Sequence, residues 1–201
     1  MSAPLDALAT ALDRTGDLLA GLRADEWSSP TPCTGWTVRD LVNHLVGGNR
    51  LFTDALRGVP LPPREVLGRR SGEDQLGGDP VATYRTGAQA LLAAVRAPGA
   101  LDGVLALPAG DLPGPAAVHL RTVELLVHGW DLAAATGRPA PFPDELAAAE
   151  LGFSRDLLAR MPEGRRPFAP SEPVPDDAPA LDRLAALLGR RVGGREVPAT
   201  T

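Results

Sequence analysis

The sequence predicts an all-α protein, a four-helix bundle with additional short helices toward its C-terminal end. Two observations predict it. Apolar residues recur at helical spacing through the first two thirds of the chain. The helical stretches there, four of roughly 17 to 22 residues, are separated by connections long enough for crossovers. The chain has 201 residues, 44% of them hydrophobic and 22% charged, enough to enclose one sizeable core.

Leu5, Leu8, Leu12, Leu19 and Leu22 repeat at three-, four- and seven-residue spacings, so residues 3 to 23 read as an amphipathic helix. Glu26 to Trp36 is a loop, broken by Pro30, Pro32 and Gly35. Thr37 is placed as an N-cap with Asp40 three positions on, an acidic form of the capping box. Val38, Leu41, Val42, Leu45, Phe52 and Leu56 stripe the second helix out to Arg57. Residues 58 to 78, rich in glycine, proline and charge, read as a mobile excursion. Asp79-Pro80 starts a third helix with Asp as cap and Pro at the first helical position, and Pro98-Gly99 ends it. Residues 101 to 115 have no helical period and suit a short extended piece. A fourth helix runs from Ala116 to Gly137, a C-cap glycine, and a fifth from Asp144 to Met161. Residues 162 to 179 are proline-rich and extended, Leu181 to Leu188 form a short helix, and a polar, frayed tail follows. The expected organisation is a bundle over 1–161, with 162–201 packed on the same domain.

Composition excludes several chemistries. All 20 basic residues are arginine, so Schiff bases, pyridoxal phosphate tethering and a lysine-bearing P-loop are ruled out. A single cysteine excludes an internal disulfide and multi-cysteine zinc sites. The net charge of −5 argues against nucleic acid as a partner. Asp6 and Asp13 interrupt the N-terminal stretch, which does not read as a signal peptide, and no apolar run approaches the ~18 residues of a membrane span. The expectation is a soluble cytoplasmic protein with no membrane partner.

Glu124 and His128 form an E-x-x-x-H pair on the fourth helix. Four residues make about 400° of rotation, so both project from one face. Alone, such a pair is common on helices. His44, on the border of the second helix's apolar stripe, is the third group that a shared ion requires, and two histidines with one glutamate is a known catalytic zinc set. A hydrogen-bonded interior histidine is the competing reading. His119 precedes His128 by nine residues, about 900°, and faces the other way as a surface or packing residue. Gly47 and Gly48 follow His44 by about a turn, and either let helices approach or leave room for a ligand. Arg121 and Asp131 flank the pair at three-residue offsets. Arg121 is assigned to a substrate anion and Asp131 to the second nitrogen of a ligand histidine, with solvated ion pairs as the alternative. Cys33 invites a nucleophile reading, but with no histidine or arginine nearby in the chain to lower its pKa it reads rather as a small buried hydrophobe. Trp27, Trp36 and Trp130 read as core or pocket wall.

The segments "SSPTPCTGWTVRDLVNHLVGGNRLF" (28 to 52) and "RTVELLVHGWDLAAATGRP" (121 to 139) resemble the DinB-like superfamily. They are closest to its actinobacterial branch, the mycothiol-dependent maleylpyruvate isomerase N-terminal domain family with its short metal-binding members. The resemblance implies a four-helix bundle holding a divalent metal, zinc, through His44, Glu124 and His128. It implies mycothiol or another low-molecular-weight thiol as cosubstrate, and isomerisation or S-transfer on a small electrophilic substrate. The isomerase's substantial C-terminal domain is replaced here by a short proline-rich segment and one small helix, so the maleylpyruvate reaction itself is not expected to transfer. The alternatives are a metal-dependent hydrolase using activated water, and a non-catalytic bundle that binds metal or a hydrophobic ligand or forms a homodimer through its helices.

Overall fold

A computed structural model describes residues 3–63, 66, 72–161 and 168–193. Its helices are α1 (Ala3–Ala20), α2 (Val38–Leu56), α3 (Pro80–Val95), α4 (Gly114–Thr136), α5 (Asp144–Arg160) and α6 (Ala180–Leu187). A 3-10 turn spans Ala24–Ser28, and strands β1 (Val104–Leu107) and β2 (Gly110–Pro113) pair as an antiparallel hairpin. The extended piece expected before α4 is this hairpin, which packs against α2 and α4.

The caps form where the sequence places them. Thr37 accepts a hydrogen bond from the Asp40 amide, and the Asp40 carboxylate accepts one from the Thr37 amide. Each satisfies one of the amides that a helix start leaves without an intrahelical partner. Asp79 caps α3 through the Ala82 amide at 3.0 Å, with Pro80 in its first turn. Gly137 ends α4 at φ +66°, a left-handed conformation that costs glycine little.

Around the bundle the order is α1, α3, α2, α4, so α1 lies diagonally across from α2, and α3 from α4. The core is the shared interior, filled by Leu8, Leu12 and Leu19 of α1, Leu41 and Leu45 of α2, Leu91 of α3, and Leu125, Leu126 and Leu132 of α4. Tyr84 is fully buried among them and donates its hydroxyl to the Leu12 carbonyl at 3.1 Å. A buried phenol needs such a partner, because an unpaired hydroxyl costs about 1–3 kcal/mol. α5 and α6 pack on one another and against α4. α4 is therefore covered from several sides, and residues on all its faces are buried.

The excursion after α2 is pinned where it can be described. The Asn43 amide group donates to the Glu73 carbonyl at 2.8 Å and accepts from the Gln75 amide at 2.7 Å, and Leu76 is fully buried. Residues 64, 65, 67–71, 162–167 and 194–201 lie outside the described residues, and with them parts of the expected excursion, the proline-rich segment and the frayed tail.

His119 faces away from the other two histidines. It stacks on Phe153 at 4.7 Å and lies 2.9 Å from the buried Glu150 carboxylate, a packing role as the helix arithmetic expects. The Glu150 hydrogen bond raises the His119 pKa above its ordinary 6.5. A raised folded-state pKa means that the pair stabilises the fold fully below 6.5, and that this contribution is lost as pH rises through the folded value. His119→Gln is expected to lower the urea midpoint clearly at pH 5.5 and much less at pH 9; equal losses at both would contradict the ion pair.

Candidate functional site

The site is built where the loop before α2 crosses the α2–α4 seam. That loop is held by its own backbone. Thr31 N–H donates to Trp36 O at 3.0 Å, Trp36 N–H to Cys33 O at 3.0 Å, and Val38 N–H to Ser29 O at 2.9 Å. Gly35, at φ +79°, makes the tight return. The closed loop lays Trp36 against His44 and His128, with ring centroids 5.1 and 6.1 Å away. Trp36 is thus a wall of the site.

His44 of α2 and His128 of α4 meet edge to face, with centroids 4.9 Å apart and planes at 76°. Burial, and then the neighbouring His128, push the His44 pKa down to about 4. His44 is therefore a neutral imidazole at pH 7, the form that has a lone pair to offer. Glu124 lies one turn before His128 on α4. Its Oε2 accepts from Arg121 Nη1 at 2.9 Å, and its side chain remains partly exposed.

Arg121 is not open to a substrate anion. It is fully buried, donating through Nε and Nη2 to Asn49 Oδ1 at 3.2 and 2.8 Å and through Nη2 to the Leu45 carbonyl at 2.8 Å. It braces Glu124 from behind and ties α4 to α2. The room left by the small residues of α2 is taken up by protein. A Cβ on Gly48 would overlap the Arg121 guanidinium, and one on Gly47 would come within 2.7 Å of Gln75 Nε2.

Asp131 is a fully buried carboxylate, not a solvated one. Its Oδ2 lies 3.0 Å from His128 Nδ1 and, as a carboxylate, accepts a proton-bearing Nδ1, which fixes the ring with Nε2 turned away from Asp131. Arg190, three residues after α6, clasps the same carboxylate, with Nε 3.3 Å from Oδ1 and Nη2 2.9 Å from Oδ2. The Cys33 thiol donates to Oδ2 at 3.2 Å, and its sulfur lies 3.4 Å from Arg190 Nη2. Burial pushes the Asp131 carboxyl up, but hydrogen bonds from His128 and Arg190 outweigh it and hold the group below the usual carboxylate range. For Cys33, burial and then the Asp131 charge push the thiol up to about 12. The partners absent from its sequence neighbourhood are supplied by the fold, yet the group stays a thiol.

Of the residues singled out in the sequence, the structure joins His44 to His128 and His128 to Asp131, while Glu124 is paired with Arg121; Cys33 and Arg190, which sequence spacing does not connect to them, also meet Asp131. Among the described residues, one set of three metal-capable groups has donor atoms all within 4.8 Å of one another: Cys33, His128 and Asp131. That set is already satisfied internally, and the Arg190 guanidinium occupies the place where a cation's charge would be balanced. His44, Glu124 and His128 do not form such a set among the described residues, although the His44 and His128 rings are in contact.

Residues 8–133 match the family described as the mycothiol maleylpyruvate isomerase N-terminal domain. The chain belongs to this family. Its fold is similar to crystal structures of the mycothiol-dependent maleylpyruvate isomerase and of a histidine-to-alanine mutant of it, with TM-scores of 0.58 and 0.61. Both similarities cover 74% of this chain and 68% of the other at 17% identity, a likeness of fold. The all-α DinB-like bundle expected from the sequence is the fold this family shares. An uncharacterised protein of Mycobacterium tuberculosis, matched in two strains, is 38% identical over 190 residues, covering 94% of this chain and 98% of its own length.

Arg121→Met would leave Asn49 Oδ1 and the Leu45 carbonyl without their donor. Urea denaturation should show a loss of about 2–4 kcal/mol, as for a buried charged hydrogen-bond network. A loss below about 1 kcal/mol, the value of an exposed pair, would contradict the bracing role.

Proposed function

We propose that this chain is a metal- and thiol-dependent enzyme in which His44, Glu124 and His128 hold a divalent ion, zinc, and Asp131 orients His128. The observation that carries the reading is the meeting of two imidazoles from different helices, 4.9 Å apart, one of them fixed by a buried carboxylate on its far nitrogen. Two imidazoles meeting from facing helices match the way metal sites are built inside helical bundles. Membership of a family named for a mycothiol-dependent isomerase supports a low-molecular-weight thiol, mycothiol, as cosubstrate and a small electrophilic molecule as substrate. The same reading places the protein in the cytoplasm. No helix of the described residues is long and apolar enough to cross a membrane.

A bound divalent ion supplies one thing to such chemistry, a thiolate nucleophile at neutral pH for S-transfer or isomerisation. The chain's own residues do the rest. His44 stays deprotonated because its surroundings disfavour charge. Arg121 holds one oxygen of the Glu124 carboxylate, which restricts its rotamers. Trp36 covers both rings and limits the approach of water from the loop side. Cys33 takes no part as a nucleophile, because its thiol is held protonated beside Asp131. In this reading the bundle over 1–161 carries the donors, and 162–201 belongs to the same domain.

Elemental analysis of protein purified without a histidine tag is expected to give about one equivalent of zinc, lost in His44→Ala, Glu124→Ala and His128→Ala. The zinc-loaded protein should consume mycothiol with members of an electrophile panel, and the three variants should not. Less than about a tenth of an equivalent of any transition metal would overturn the metal reading.

A further inference from the structure

The C-terminal segment reaches into the site through one side chain. α6 ends in a turn where the Gly189 and Arg190 amides donate to the Ala186 and Ala185 carbonyls at 3.0 Å each. Gly189 lies at φ +85°, and a Cβ there would come within 2.5 Å of Ala169 Cβ, so glycine is required both by the turn and by the close packing beneath it. The turn sends Arg190 back toward α4, where its Nη1 also bonds the Leu188 carbonyl at 2.9 Å. The guanidinium is therefore held by the Leu188 carbonyl just after α6 and by both oxygens of Asp131. Trp130, one residue before Asp131, is tied to the same helix by its Nε1–H, which donates to Asp182 at 2.7 Å.

We infer that Arg190 is a positioning residue: by clasping both oxygens of Asp131 it locks the carboxylate that orients His128, so the short C-terminal helix completes a site whose donors all lie in the bundle. The physical argument is one of competing hydrogen bonds. A carboxylate held only by His128 and the Cys33 thiol is free to rotate about its last bond, and its hold on Nδ1 then weakens. The two nitrogens of a planar guanidinium, one near each oxygen, remove that rotation. They also pair a charge that has no contact with water. The inference deepens the metal reading above by assigning the outer support of one ligand, yet its first readout needs no metal.

The test is carried out on the full chain. In the metal-free protein, long-range proton–nitrogen NMR reads which nitrogen of His128 carries the proton. The wild type is expected to show the Nδ1–H tautomer alone, and Arg190→Gln a mixture with Nε2–H, at unchanged helix content by circular dichroism. Cobalt(II) titration, followed by its visible absorption, should show Arg190→Gln binding about tenfold or more weakly, the cost found when outer-shell partners of metal ligands are removed. Arg190→Lys keeps the charge but not the two-point clasp, and should recover only part of either effect. If Arg190→Gln does not fold, the lysine variant carries the test on its own. Wild-type tautomer and wild-type cobalt affinity in a folded Arg190 variant would overturn the inference. A wild-type protein that takes up no cobalt overturns the metal reading instead, and the tautomer then decides the role of Arg190.

Discussion

One buried carboxylate organises this molecule. Asp131 is shielded from water and serves the loop before α2 through Cys33, α4 itself through His128, and the chain after α6 through Arg190. A charge in that position is tolerated only when paired and fully hydrogen-bonded. The three partners are thus mutually dependent: the loop must close, α4 must present His128 on the same face, and the C-terminal turn must deliver a guanidinium. The site's geometry and the docking of the last helix are two consequences of the same constraint.

A second polar knot lies about three turns earlier on α4. Arg121 spans the α2–α4 seam and bonds Asn49 and the Leu45 carbonyl on one side and Glu124 on the other. Gly48 exists to admit it. Between the two knots lie His128 and, facing it from α2, His44. Each of the proposed metal-binding side chains on α4 is thereby hydrogen-bonded by a buried charged group, Glu124 by Arg121 and His128 by Asp131. Rigid helices carry these side chains, and buried hydrogen bonds to Arg121 and Asp131 fix their rotamers, an arrangement that suits the proposed metal centre.

Much of the fold is legible in the sequence because local rules govern it. Thr37 with Asp40, Asp79 with Pro80, and Gly137 mark helix ends by the chemistry of unsatisfied amides and carbonyls. The diagonal placement of α1 and α2 is not legible, since helical periodicity says which face is apolar but not which neighbour covers it. The three proposed ligands can be reached by spacing because two share a helix face and the third borders an apolar stripe. Arg121 is misread for a related reason. A residue three positions from a glutamate resembles a surface pair, whereas α4 is covered on several sides and the pair is largely inside. Cys33 and Arg190 could not be placed from sequence. Their partners lie 98 and 59 residues away, and only tertiary structure brings them to Asp131.

The proposed metal ligands, His44, Glu124 and His128, compete with the cluster of Cys33, His128 and Asp131, whose donor atoms lie within 4.8 Å of one another. X-ray absorption fine structure at the zinc edge, on protein loaded with zinc and free of added thiol, separates the two directly, because nitrogen and oxygen scatter differently from sulfur at different distances. The account predicts a first shell of nitrogen and oxygen with two imidazoles and no sulfur. A sulfur neighbour, which in a chain with one cysteine would come from Cys33 or a methionine, would contradict it.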